Sequence, residues 1–227
     1  MNEAGWQSAL RLTQERTQAK AVVFDFDGTI ADSLSVAIEV ANRLAGEFGM
    51  EPITPEQYDR WRHLSSREIL KELRLPVLRL PKLINRFSKE LRQEIHKFPL
   101  IPGMREAILE LWDRGYVLGI VTSNSAETVR AFLEAQQLEN LFDFIESCPK
   151  VMGKDRMLKR LAKRHALNMN KMLYVGDETR DIDAANRCKA FSVGVTWGFN
   201  SSQALKSHQP DYLIDHPSQL VAIARNL

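Results

Sequence analysis

Two aspartates stand two residues apart in the stretch VVFDFDGTIADS, residues 22–33. If this run is a strand, Asp25 and Asp27 point to the same face. Like charges so placed repel unless a cation lies between them or one of them holds a proton. Further polar groups recur along the chain: Gly28 and Thr29, then Thr122, Ser123 and Asn124, then Lys154, then Asp177 with Asp181 one helical turn on. Three or four carboxylate oxygens are the ligand set of a hard dication such as Mg²⁺. Hydroxyls, backbone N–H groups and a lysine are what a phosphoryl group needs. A dication shared by carboxylates and a phosphate would resolve the repulsion between Asp25 and Asp27.

The elements that must position these groups alternate. Short apolar runs at residues 21–26, 116–123, 142–147, 171–176, 191–196 and, more weakly, 211–214 read as buried parallel strands. Helical patterns lie between them. The run MREAILELWDRG puts Met104, Ile108, Leu111 and Trp112 on one face and stops at Gly115. Ser125 is placed to cap the helix after the second strand. This repetition predicts an α/β fold, a Rossmann-like parallel sheet with helices on both faces. Ligands in such sheets bind beyond the carboxyl ends of the strands, where all the polar groups above would fall.

One block breaks the alternation. Residues 33–98 show no strand pattern but several amphipathic helical runs, with Pro76 and Pro81 marking a turn. The expected organisation is an N-terminal extension (1–19), a Rossmann-like core (20–32 and 99–227) and an inserted all-helical domain (33–98). The segments GTIADS and FPLIPG would be the two connections. The run WQSALRLTQERTQ in the extension can form a helix.

Bulk properties exclude several classes. The chain has 227 residues, 44% hydrophobic and 26% charged, as in an ordinary globular protein. A net charge of +2 gives no argument for nucleic acid or a membrane surface as partner. No apolar run approaches the ~20 residues of a membrane span. The first twenty residues lack the apolar core of a secretory signal. Cys148 and Cys188 have no metal-ligand spacing and read as thiols of a reducing cytoplasm.

The motifs DFDGTIADS, VTSN, GK at Gly153–Lys154 and GDETRD occur in the order found in the haloacid dehalogenase-like hydrolases. The chain resembles the phosphoglycolate phosphatase-like branch with a helical cap. That resemblance implies a phosphatase hydrolysing a small phosphate monoester through an aspartyl-phosphate. Asp25 would be the nucleophile, and Asp27 the acid and then the base. Asp25, Asp27 (by its backbone carbonyl) and Asp177 would hold Mg²⁺. Gly28, Thr122, Ser123 and Lys154 would bind the phosphoryl group, with Lys154 also catalytic and Asp181 supporting the metal site and Lys154. Trp197 and Gly198 would border the site. The usual Pro after the motif lysine is Asp155 here, and Lys150 is a rival for the lysine's role. Arg62, His63, Ser65, Ser66 and Arg67, at the substrate end of the cap, are the specificity candidates. A phosphorylated small metabolite is the expected partner. A beta-phosphoglucomutase-like sugar-phosphate mutase, or a catalytically silent regulatory or scaffold relative, is the alternative.

Overall fold

The computed structural model describes residues 19–73, 76–148 and 153–227, the side chains of residues 66, 67 and 77 excepted. The expected N-terminal helix and Lys150 therefore lie outside the described residues. The strands are β1 (Ala21–Phe24), β2 (Val117–Thr122), β3 (Phe144–Ser147), β4 (Met172–Gly176), β5 (Phe191–Val195) and β6 (Tyr212–Ile214). They form one sheet in the order β3-β2-β1-β4-β5-β6, every pair parallel. Helices α1 (Leu34–Phe48), α2 (Pro55–Trp61), α3 (Ser66–Glu72) and α4 (Leu80–Gln93) lie between β1 and β2, followed by α5 (Met104–Asp113). The remaining helices are α6 (Ala126–Ala135), α7 (Lys154–Arg164), α8 (Thr179–Cys188), α9 (Ser202–Ser207) and α10 (Ser218–Arg225).

Strand alternation divides the core in two. Val22 and Phe24 of β1, with Leu118, Ile120, Leu173 and Val175, pack on the side that holds α5, α6 and α10. Ala21 and Val23, with Val121, Met172 and Tyr174, pack on the side that holds α7 and α8. Both faces are covered, which is why the strands read as continuous apolar runs rather than alternating ones. The strand order reverses between β1 and β4, the position where open α/β sheets form a crevice.

Two expectations need correction here. β1 ends at Phe24, so Asp25 and Asp27 do not sit together in a strand. The chain instead turns sharply: the amides of Thr29, Ile30 and Ala31 all donate to the Phe26 carbonyl. Trp112 is 49% exposed, because the buried stripe of α5 is Met104, Ala107, Ile108 and Leu111. Helix α2 was not expected, although Thr54 accepting from the Gln57 amide and Pro55 at the first position are ordinary start signals.

The two connections of the helical insertion run side by side. The Asp32 amide donates to the Pro99 carbonyl at 2.9 Å, and the Ile101 amide to the Ile30 carbonyl at 2.9 Å. Within the insertion, α1 packs on α4, and Arg43 of α1 pairs with Glu90 and Glu94. Arg60, Arg86 and Lys97 likewise pair with Glu72, Glu90 and Glu94. Much of the basic surface of this block is therefore neutralised locally, and each such exposed pair contributes little to stability.

Phe26 fixes the turn between the two aspartates. Its ring is fully buried and meets Phe132 of α6 edge-on, with centroids 5.1 Å apart. Phe26→Ala is expected to lose about 3–5 kcal/mol of stability, the usual cost of a large-to-small change in a closed core. Urea unfolding measures it, and a loss below 1 kcal/mol would show that the turn is held by something other than this anchor.

Candidate active site

The polar groups converge at the carboxyl ends of β1, β2 and β4 and at the start of α7. Asp25 follows β1 directly, and its amide still donates to the Val175 carbonyl of β4 at 2.8 Å. One carboxylate oxygen accepts from the Phe26 amide at 2.8 Å. The other accepts from the Lys154 ammonium at 2.5 Å. The same ammonium donates to Asp181 Oδ1 at 2.5 Å. Asp25, Lys154 and Asp181 are all buried. Tyr174 closes the group from below, its hydroxyl 3.4 Å from Asp181 Oδ1 and its ring beneath the ammonium. Lys154 is the first residue of α7, an unfavourable place for a cation beside the helix dipole. Burial also works against the charge, but the Asp181 and Asp25 carboxylates outweigh it and hold Lys154 well above its ordinary pKa. Asp155, in the place of the usual Pro, sits in the first turn of α7, and its carbonyl accepts from Cys188 Sγ at 3.1 Å.

Asp177 lies at the end of β4. Thr29 donates its hydroxyl to one carboxylate oxygen at 3.0 Å, and the Phe199 amide donates to the other at 2.8 Å. Gly28 and Gly198 press on it from opposite sides. A Cβ on Gly28 would come within 2.3 Å of Asp177 Oδ2, and one on Gly198 within 2.2 Å of its Cβ. Gly28 also has φ +71°, so the position excludes other residues twice over. Its amide is engaged with the Ala31 carbonyl at 2.8 Å. Among the described residues no lysine or arginine pairs with Asp177. Burial, then Glu178 and Asp25, push its pKa well above the carboxylate range.

Asp27 has a different partner. Asn124 Nδ2 donates to its Oδ2 at 2.7 Å. Its Oδ1 is buried and has no hydrogen-bond partner among the described residues. The Ser33 hydroxyl is near enough to lower its pKa, though no hydrogen bond of normal geometry forms. Burial and the Asp25 charge dominate and raise Asp27 to about 7. Burial likewise raises Asp181 to about 6 against the lowering effect of Lys154. Thr122 is fully buried, and its hydroxyl accepts from the Asn124 amide at 3.0 Å, which orients the side chain that holds Asp27. Ser123 is exposed at the mouth of a cavity of about 160 Å³ that Lys154 also lines.

Oxygens of Asp25, Asp177 and Asp181 lie within 4.8 Å of one another. Two of these three buried carboxylates, Asp25 and Asp181, share one ammonium, and that ammonium does not touch Asp177. The surplus negative charge and the all-oxygen donor set fit a hard dication. They are a poor match for a softer metal, since no His or Cys joins the cluster among the described residues.

The helical insertion reaches this site through the turn between α2 and α3. Arg62, half-buried, donates from Nε to the Phe199 carbonyl at 3.1 Å and from a terminal nitrogen to the Gly198 carbonyl at 3.4 Å. His63 Nδ1 is 2.9 Å from the Ser201 hydroxyl. Ser65 caps α3, its hydroxyl accepting from the Glu68 amide while Glu68 returns to the Ser65 amide. The side chains of Ser66 and Arg67 lie outside the described residues. Trp197 Nε1 donates to the Thr29 carbonyl at 3.2 Å, and so joins the same loop to the turn after β1. The site residues that motif reading passed over are Tyr174 and Asn200. Tyr174 sits in a strand that reads as plain core, and Asn200 on a loop, where a buried amide leaves no sequence signal.

Known proteins of similar sequence and structure bear on this geometry. The family model described as haloacid dehalogenase-like hydrolase matches residues 22–195. A phosphoglycolate phosphatase of Synechococcus elongatus is 36% identical over 208 residues, covering 92% of this chain and 98% of that protein. One of Photobacterium profundum is 30% identical over 222 residues, covering 91% and 96%. Among solved structures, a haloacid dehalogenase-like family hydrolase from Streptococcus pneumoniae superposes with a TM-score of 0.78 at 24% identity, covering 90% of this chain and 98% of that one. A single family model spanning the sheet from β1 to β5, and whole-length relatives on either side of it, leave one conclusion: the chain belongs to the haloacid dehalogenase-like hydrolases.

Proposed function

We propose that the chain is a Mg²⁺-dependent phosphatase that hydrolyses a small phosphate monoester of the phosphoglycolate kind through an aspartyl-phosphate on Asp25. The observation that carries this reading is the buried Asp25–Lys154–Asp181 group, with Asp177 beside it and, among the described residues, not paired with a cation. It sits at the crevice between β1 and β4. The relatives named phosphoglycolate phosphatase support the substrate class. Residues 33–98 act as the cap, over a core of residues 20–32 and 99–227.

Asp25 attacks phosphorus, and the bond from phosphorus to the alcohol oxygen breaks. Asp27, protonated, gives its proton to that departing oxygen. In the second step water attacks the aspartyl-phosphate, Asp27 accepts a proton from the water, and Asp25 is regenerated with release of phosphate. A carboxyl group near pKa 7 is suited to both duties at neutral pH, because neither form is scarce. Asn124, which donates to Asp27 Oδ2, holds the carboxyl group in place for these transfers. Lys154 lowers the charge that the incoming phosphoryl group meets, and Asp181 keeps the ammonium in place. Splitting hydrolysis into two transfers lets one acid–base group serve twice. The Asp25 and Asp177 carboxylates with the Asp27 carbonyl would hold Mg²⁺, which when bound neutralises phosphoryl oxygens in the transition state. Cap closure keeps bulk water from the intermediate. Arg62 places a positive charge at the rim, suited to a substrate carboxylate. The buried cysteines accord with a reducing cytoplasm.

Three outcomes test this. Asp25→Asn should abolish phosphate release from phosphoglycolate, and Asp27→Asn should reduce kcat by about 10²–10⁴-fold while Mg²⁺ binding, read by calorimetry, persists. Substantial turnover in Asp25→Asn would remove the nucleophile assignment. Chelation should silence the native enzyme and Mg²⁺ should restore it; activity that survives exhaustive chelation contradicts the metal. Stability should also respond to pH with a definite sign. Asp27, Asp181 and Asp177 bind protons more tightly folded than unfolded, so between about pH 5 and 7, above the range where the lowered Glu56, Glu68, Glu72, Glu94 and Glu110 titrate, the folded chain holds more protons. Lys154 stays protonated in both states over this range and adds no slope. The metal-free chain should therefore lose thermal stability as pH rises through that window, and Mg²⁺ should restore more of it at pH 8 than at pH 5. A melting temperature that climbs over the window would contradict the charge balance.

A further inference from the structure

Asn200 is buried on the loop after β5, yet phosphoryl transfer gives it no task. Its amide group faces two ways. Oδ1 accepts from the Thr179 amide at the start of α8 at 2.9 Å. Nδ2 donates to the carbonyls of Arg62 at 3.0 Å and Leu64 at 3.1 Å, both in the turn between α2 and α3. The Ser201 amide adds a bond to the Arg62 carbonyl at 2.8 Å. The Arg62 side chain answers from the cap side by donating to the Phe199 carbonyl. One short core segment is thus sewn to one short cap segment by backbone groups on both sides. The same core segment holds Asp177: the Phe199 amide bonds its carboxylate and the Asn200 amide bonds its carbonyl, at 2.8 and 3.2 Å.

We propose that Asn200 is a positioning residue, which clasps the 62–64 turn of the cap onto the core and couples closure of the cap to the orientation of Asp177. The proposal rests on the phosphatase reading above, in that the coupled site is the phosphoryl-transfer pocket. Physically, the two backbone carbonyls of the cap turn need donors only when the cap is down; when it lifts, water supplies them. Asn200 is the donor of the closed state, and it is rigid because α8 holds its other end. A closed cap therefore delivers Arg62 to the pocket rim and leaves the Phe199 amide on Asp177. A cap that is not clasped leaves the Phe199–Asn200 loop without its outer support.

The isosteric change Asn200→Asp separates this role from simple capping of α8. It keeps an oxygen for the Thr179 amide and removes the donor to Arg62 and Leu64. Backbone hydrogen exchange, read by mass spectrometry on the full chain, should quicken about 10-fold or more across residues 55–73 and stay unchanged across residues 172–188. In the same variant kcat/KM for phosphoglycolate should fall about 10-fold or more, as expected when a reacting group is misplaced from a distance. The loss should fall on kcat as well as on KM, because the clasp supports the loop whose Phe199 amide holds Asp177, while Asp25, Lys154 and Asp181 are untouched. Unchanged exchange across 55–73 in folded Asn200→Asp overturns the proposal, as does an unchanged kcat/KM. Should that variant fail to fold, Asn200→Ala, which removes the same donor without adding a charge, is measured in its place: faster exchange across 55–73 supports the clasp, and unchanged exchange rejects it. The exchange result stands whether or not the native chain releases phosphate from any ester, so failure of the phosphatase reading and failure of the clasp are seen separately.

Discussion

The structure depends on one buried ammonium. Lys154 sits between Asp25 and Asp181 with both carboxylates at hydrogen-bond distance, and all three are withdrawn from water. Taking these charges out of solvent costs several kcal/mol per ion, and only close pairing offsets it. The arrangement offsets it incompletely. Asp177 stands beside the pair with a hydroxyl and an amide for company and, among the described residues, no paired cation; burial, with Glu178 and Asp25 nearby, raises its proton affinity. The core of the sheet thus carries a deliberate deficit of positive charge at the switch between β1 and β4. The proposed Mg²⁺ would meet that deficit.

Around this charge deficit the fold arranges close approaches that ordinary side chains would obstruct. Gly28 and Gly198 leave room for Asp177 from two different loops, one after β1 and one after β5. Phe26 buries itself between the two aspartates of the first motif, so that one carboxylate turns to Lys154 and the other to Asn124. This division of labour follows from a turn, not from strand pleating. It gives two identical side chains unlike surroundings, one neutralised and one raised toward neutrality by burial, which is how acid–base roles are separated.

The helical insertion is attached at two depths. Its connectors lie together beside β1, joined through Asp32 with Pro99 and Ile101 with Ile30. Its far end meets the loop after β5 through the turn at residues 62–64. Under the proposed function, the end held by a few hydrogen bonds is the one that would lift from the core. Loops that bear such contacts carry function because the sheet beneath them is rigid.

Much of this was legible in the residues. Apolar runs of four to eight residues and helical repeats between them dictate a parallel sheet covered on both sides, because buried strands must be apolar on both faces. The order of Asp25, Asp27, Thr122, Lys154, Asp177 and Asp181 along that pattern places each at a strand or helix end, where chain order alone puts them on one rim. Other features were not legible. Ending β1 at Phe24 depends on where Phe26 finds its pocket, and Trp112 lies outside the core because α5 meets the sheet through Ala107 instead. Tyr174 under the lysine, and Asn200 between core and cap, are ordinary residues in ordinary runs whose importance arises from neighbours more than a hundred positions away or across a strand. Local propensity and spacing determined which elements exist and which ends carry chemistry. Only the tertiary structure decided which carboxylate faces which cation, because hydrogen-bond partners and desolvation are properties of packed surroundings and not of the chain.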